Sequence, residues 1–249
     1  MLQMEEKIFK TENMYPENMY SELTIHFQPI FRAQNGKIFG YEALTRHSSK
    51  SINIKQLFDE AKKDGSIFLL DMICRKNAIK KASTLAIKDY LFINVCPEIL
   101  LKPQHTVGIT DRLIEEFSFP KNQIILEITE KSAIENYNIF MASVFYYKQR
   151  GYKIAIDDFG AGFGGPKMLS LIEPEIVKID RHFISNLRKN SICKSFIEFT
   201  VSVCHNKNIM VVAEGVETHC QLEELIKLGV DFLQGFYLGE PSQDIKKQS

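Results

Sequence analysis

The stretch Lys153-Ile154-Ala155-Ile156-Asp157-Asp158-Phe159-Gly160 decides the reading of this chain. An apolar, strand-like run ends in two adjacent carboxylates, and a glycine-rich turn follows at once. Crowded or buried carboxylates cost free energy unless a cation lies between them. The pair therefore points to a divalent metal, and the rest of the chain is the place to look for further ligands.

The same design recurs along the sequence. Glu42 ends Phe39-Gly40-Tyr41, Asn94 stands in Leu91-Phe92-Ile93-Asn94-Val95, and Glu127 closes Ile124-Ile125-Leu126. Lys178 lies in Ile176-Val177-Lys178-Ile179, Glu214 closes Met210-Val211-Val212-Ala213, and Gln234 follows Asp231-Phe232-Leu233. Strands are expected over residues 26–31, 37–43, 90–95, 123–128, 152–156, 175–179, 209–213 and 231–233. Several are near-continuous aliphatic runs, as parallel strands covered on both faces require.

Helical patterns separate the strands, over 54–63, 67–86, 110–117, 133–150, 191–206 and 218–228. In the fourth of these, Ile134, Tyr137, Phe140, Met141, Val144 and Phe145 are assigned to one apolar face, and Gly151 is its stop. Repeated strand–helix units over 249 residues predict an α/β fold, a closed (β/α)8 TIM-type barrel rather than an open doubly wound sheet. No GxGxxG opens a helix after a strand, which argues against a dinucleotide-binding fold. Residues 1–20 read as a polar tail or cap, 21–243 as the barrel domain and 244–249 as a second tail.

Composition bounds the function. Lys+Arg 31 balances Asp+Glu 31, so no global field draws polymeric nucleic acid or an anionic membrane. No apolar run approaches the roughly 20 residues of a membrane span, and the first residues lack a signal-peptide core. The 5 cysteines are odd in number and scattered, which suggests reduced thiols in a cytoplasm.

In a barrel the strand ends meet at one rim, where active sites are built. Glu42, Asn94, Glu127, Asp157 and Asp158 form an all-oxygen set suited to Mg²⁺ or Mn²⁺ rather than zinc. Two such ions about 3.5–4 Å apart, bridged by one aspartate, match the two-metal arrangement for phosphoester hydrolysis. Lys178, a cation in an apolar strand, would stabilise charge or orient water. A rival reading makes Lys178 a Schiff-base lysine of an aldolase-like barrel, but such enzymes have no use for so many carboxylates.

The segment Tyr41-Glu42-Ala43-Leu44-Thr45-Arg46 resembles the signature of the EAL domain family, the cyclic di-GMP phosphodiesterases. The resemblance covers roughly residues 24–240. It includes Gln28-Pro29-Ile30, Asn94-Val95-Cys96-Pro97, Glu127-Ile128-Thr129-Glu130, Asp157-Asp158-Phe159-Gly160, Lys178-Ile179-Asp180, Ala213-Glu214-Gly215-Val216-Glu217-Thr218 and Gln234-Gly235-Phe236. It implies a barrel whose first strand is antiparallel, and opening of cyclic di-GMP to linear pGpG with two Mg²⁺ or Mn²⁺ ions. By motif position it implies that Glu42, Asn94, Glu127 and Asp157 hold one metal and that Asp157 and Asp158 serve the second. Lys178 is then the water-orienting cation, and Glu214, Glu217 and Gln234 belong to the second metal and its water network, with Glu214 a general base. Gln28 and Arg46 are implied in substrate binding, where an arginine fork suits a phosphate. Glu130 is implied as the anchor of the loop after Asp158. A homodimer is plausible from the family alone.

Two departures stand out. Cys96 replaces the family's usual serine, and Ala161-Gly162-Phe163-Gly164-Gly165-Pro166 replaces a Thr-Gly-Tyr-Ser-Ser-Leu pattern. The added glycines are expected to loosen the loop, and Pro166 suits a first helical position. That loop leaves room for a second reading, an EAL-fold module that binds the nucleotide without turning it over. Cys96 reads as a packed thiol, His47 as a surface histidine, and Arg75, Lys76, Lys80 and Lys81 as a solvated basic face. No cyclase motif or sensory segment is legible, so a stand-alone catalytic unit is expected.

Overall fold

A computed structural model describes residues 20–49, 51–100, 108–130, 137–162 and 164–245. The expected tail before residue 20, the start of the helix expected from Ala133, and Phe163 lie outside these residues.

Eight strands close into a barrel in chain order. They are β1 (Leu23–Arg32), β2 (Ile38–His47), β3 (Tyr90–Val95), β4 (Ile124–Thr129), β5 (Lys153–Phe159), β6 (Ile176–Ile179), β7 (Met210–Ala213) and β8 (Phe232–Leu233). β1 runs antiparallel to both β2 and β8, and the remaining neighbours are parallel. The antiparallel start follows from the short β1–β2 hairpin, since a parallel pair needs a long crossover.

Helices form the outer shell. α1 (Ile54–Asp64) and α2 (Ile67–Thr84) follow β2, while α3 (Pro97–Leu100) and α4 (Ile109–Glu116) follow β3. α5 (Tyr137–Gln149) follows β4, and α6 (Gly165–Ile172) follows β5. α7 (Arg181–Asn186) and α8 (Ser191–His205) follow β6, and α9 (His219–Lys227) follows β7. Local chemistry sets several starts. Asn53 caps α1, Asn190 caps α8, and Thr218 with Gln221 forms a capping box on α9. Among the described residues no helix is long and apolar enough to cross a membrane.

Three short helices, α3, α6 and α7, are not among the expected ones; α3 and α7, of 4 and 6 residues, hold too few turns to show a period. In α6 Pro166 falls at the second helical position rather than the first, and Met168 and Ile172 supply the buried face. The apolar face of α5 is Phe140, Val144 and Tyr147, a spacing of four and three. Phe145, expected there, is 56% exposed, because it lies one residue round the helix from Val144.

The lumen is layered. Residues two apart on a strand face the same side, so each strand contributes inward positions in successive layers. The lower layer is Ile30, Phe92, Ile125, Ala155, Ile176, Val212 and Phe232, a continuous apolar plug joined by Phe39. Gly40 completes the ring on β2. A Cβ there would meet the Tyr90 carbonyl oxygen at 2.6 Å and the Phe92 ring at 3.0 Å. Two residues along each strand, towards the C-terminal face of the seven parallel ones, come Gln28, Glu42, Asn94, Glu127, Asp157, Lys178, Glu214 and Gln234.

Candidate active site

The upper ring converges on one ammonium group. Lys178 is fully buried. Its Nζ lies 2.6 Å from Glu127 Oε1, 2.7 Å from Glu214 Oε1, 3.1 Å from Glu42 Oε2 and 3.2 Å from Asp157 Oδ1. Gln234 Nε2 donates to Glu42 Oε2 at 2.6 Å and to Gln28 Oε1 at 3.2 Å. Gln28 in turn donates to the Gly239 carbonyl at 3.2 Å. Its amide is engaged inside the protein and reaches Glu42 through Gln234. Asn94 Nδ2 lies 3.3 Å from both Glu42 Oε1 and Glu127 Oε2.

Four carboxylates share this one lysine. Lys178 stays charged: burial alone would lower its pKa, but Asp157, Glu127, Glu214 and Glu42 together raise it well above the ordinary lysine value. Glu127 moves well above the carboxylate range. Burial is the main cause, and Glu42 and Asp157 add to it against the pull of Lys178. Glu214 moves the same way for the same main reason, with Lys178 opposing and Asp157 and Glu42 contributing. Glu42 goes down instead. Burial works against its charge, but Lys178, Gln234 and Asn94 outweigh it. The two outcomes differ because Glu42 also receives hydrogen bonds from two neutral amides. The lysine cannot align with every oxygen, and Glu127 Oε1 and Asp157 Oδ1 face it with no well-directed hydrogen bond.

Among the described residues, no three acidic, histidine or cysteine side chains are already drawn round a point suited to a metal ion. The carboxylates turn on Lys178 instead. The donor chemistry nonetheless fits a hard divalent cation. It is all oxygen, it holds more negative than positive charge, and two of its buried oxygens lack a directed partner. Asn94 would have to turn its amide over to present Oδ1. Asp158 stands beside the ring with φ +57°, left-handed backbone that a non-glycine residue adopts only under local constraint. A register irregularity in β5 accompanies it, and pairing resumes at Phe159 with Ile179, which carries the strand past its expected end at 156. Thr129 Oγ1 donates to Asp158 Oδ2 at 3.3 Å.

Glu130 is buried, and its carboxylate receives the Gly160 N–H at 2.8 Å and the Gly162 N–H at 3.0 Å. Gly165 also packs on Glu130, where a Cβ would collide with the carboxylate. The glycine expected to loosen this loop therefore also permits a close approach. Arg46 is half-buried at the rim, and its Nη1 donates to the Thr45 carbonyl at 3.0 Å. It lines a cavity of about 280 Å³ together with Asn94, Cys96, Lys62 and Glu98. Burial pushes the Cys96 thiol up, so it stays protonated. The structure does not bring Glu217 into the cluster. Its carboxylate is half-exposed and lies 3.6 Å from Arg181.

Two expectations are corrected. Arg75 is not on a solvated face but 2% exposed, salt-bridged to Asp71. The His47 side chain is 4% exposed rather than at the surface, with Nε2 3.7 Å from Glu22 and Nδ1 accepting the Ser49 N–H. Asp71, on α2, escapes a reading based on strand ends. The only sequence signal for Asp71 is its four-residue spacing to Arg75.

Comparison with known proteins agrees with the fold. The EAL domain profile matches residues 14–241. MucR of Pseudomonas aeruginosa, a bifunctional diguanylate cyclase/cyclic di-GMP phosphodiesterase, is 31% identical over 231 residues, which cover 88% of this chain and 33% of MucR. The chain spans about a fifth to a half of the length of the first curated relatives it matches. A standalone EAL protein from Vibrio cholerae O395, solved with c-di-GMP bound, superposes with a TM-score of 0.81 at 33% identity, covering 88% of this chain and 92% of that one. BlrP1 of Klebsiella pneumoniae, solved with manganese and cy-diGMP, gives a TM-score of 0.81 at 26% identity, with 89% of this chain and 56% of that one covered. With the barrel, its antiparallel first strand and the motif residues on one rim, the chain belongs to the EAL domain family.

Proposed function

We propose that this protein hydrolyses cyclic di-GMP to linear pGpG with two divalent cations, Mg²⁺ or Mn²⁺, and that residues 21–243 form the catalytic unit. The observation that carries the reading is the surplus of carboxylates closing on Lys178 at the barrel mouth. The phosphodiesterase named among the relatives and the manganese complex of BlrP1 support it.

Glu42, Asn94, Glu127, Asp157 and Asp158 would hold the cations. Bound there, such ions would supply a hydroxide near neutral pH and stabilise the attacking and leaving oxygens. Lys178 holds four carboxylates in one constellation and adds positive charge where the phosphoryl oxygens become more negative. Glu214, whose side chain is 17% exposed, is the base best placed to take a proton from water. Gln234 fixes Glu42. Arg46 offers a two-pronged donor to a bridging phosphate from the cavity edge. Water oxygen bonds to phosphorus, one bond from phosphorus to a 3′ oxygen breaks, and that oxygen leaves with a proton.

Chromatography of cyclic di-GMP incubated with the purified protein tests this. pGpG should appear with Mg²⁺ or Mn²⁺ and not with chelator. Folded protein that binds the nucleotide tightly in either metal without product would overturn hydrolysis in favour of a binding module.

A further inference from the structure

A buried ion pair stands outside the lumen, in the helical shell. Asp71 and Arg75, one turn apart on α2, are each 2% exposed and form a salt bridge. Asp71 Oδ1 accepts the Cys96 N–H at 3.0 Å. Cys96 comes two residues after Asn94, just past the end of β3. Arg75 Nη1 donates to Thr110 Oγ1 of α4 at 3.2 Å and to the Tyr147 hydroxyl of α5 at 3.0 Å. One carboxylate thus ties the C-terminal end of β3 to three helices.

Packing alone does not account for this arrangement. Both charges lose their hydration, and apolar residues of similar volume often serve a core as well or better. Its position suggests another use, because groups behind a metal ligand set the ligand's orientation. We propose that Asp71, itself held by Arg75, is a positioning residue that fixes the end of β3 and so aims Asn94 at the metal. The inference rests on the metal reading given above. A carboxylate is needed because both neighbours are donors. The Cys96 N–H and the guanidinium approach different oxygens, so an amide in the same place would set its own NH₂ against one of the two donors.

Mn²⁺ binding to the full chain, followed through the electron spin resonance signal of the free ion, tests this without turnover. Asp71→Asn conserves shape but gives up one of its two partners. Its Mn²⁺ affinity should fall by about tenfold or more, as on loss of outer partners of metal ligands, with the circular dichroism of the parent retained. The double variant D71N/R75M removes the competing donor and frees the amide oxygen for Cys96. It should recover most of the loss, which general loosening of the shell would not allow. Tyr147→Phe removes the hydroxyl that accepts from Arg75 and should give a smaller weakening. It carries the test if Asp71→Asn does not fold. Parent-like affinity in folded Asp71→Asn, no recovery in the double variant, or, where Asp71→Asn does not fold, parent-like affinity in Tyr147→Phe overturns the proposal. A parent chain that binds no Mn²⁺ overturns the metal reading itself.

Discussion

Ile30, Gly40, Phe92, Ile125, Ala155, Ile176, Val212 and Phe232 line the barrel one layer below Gln28, Glu42, Asn94, Glu127, Asp157, Lys178, Glu214 and Gln234. Each pair is two residues apart on one strand, so backbone geometry treats the two layers alike. Chemistry does not. The lower layer removes apolar surface from water and contains one glycine where the Tyr90 backbone and the Phe92 ring come too close for a side chain. The upper layer buries four carboxylates round a single lysine, an arrangement that folding by itself disfavours. The lower layer packs the barrel beneath that constellation. The upper layer gives up some stability to bury the carboxylates that the proposed function assigns to cations.

If the layers divide in this way, substitutions in them should split cleanly between activity and stability. The largest effect expected is on turnover in the upper layer. Asp157→Ala should leave no pGpG detectable above background by chromatography, while its urea midpoint stays at or above that of the parent. Near-parental turnover would break the division. In the lower layer, Phe92→Ala should cost about 3–5 kcal/mol of stability in urea unfolding, because the ring is fully buried. Its folded fraction should keep kcat close to that of the parent, and a catalytic collapse without loss of stability would contradict the assignment. The smallest effect has the opposite sign. Glu127 holds its proton more tightly in the folded protein than in the unfolded chain, so its ionisation above the ordinary carboxylate range weakens the fold. Glu127→Gln removes that charge. At neutral pH in chelator it should raise unfolding stability by about 1 kcal/mol, and a clear loss would show that the carboxylates are not in surplus.

Much of the upper layer was legible in the sequence for a physical reason. A polar residue at the end of an apolar strand run stands out, and the recurrence of one at each strand end implies a common rim. β1 was different. Its direction cannot be read from alternation, because a strand shows the same period either way; the resemblance to the family implies it, and the short gap between Arg32 and Ile38 is the physical reason. α3 and α7 were hidden by their shortness. Arg75 was misread because its three nearby lysines suggested a wet face, whereas burial of a charge depends on partners distant in sequence, here Thr110 and Tyr147. For Gln28 the sequence carries only the family motif, and tertiary structure shows its amide between Gln234 and the Gly239 carbonyl.

The most direct test of the account is the number of Mn²⁺ ions bound per chain, counted by titrating the ion into metal-free protein in the presence of cyclic di-GMP. The account predicts two, falling in Asp157→Ala while Phe92→Ala keeps both in its folded fraction. No binding by the folded parent, or an undiminished count in Asp157→Ala, would contradict it.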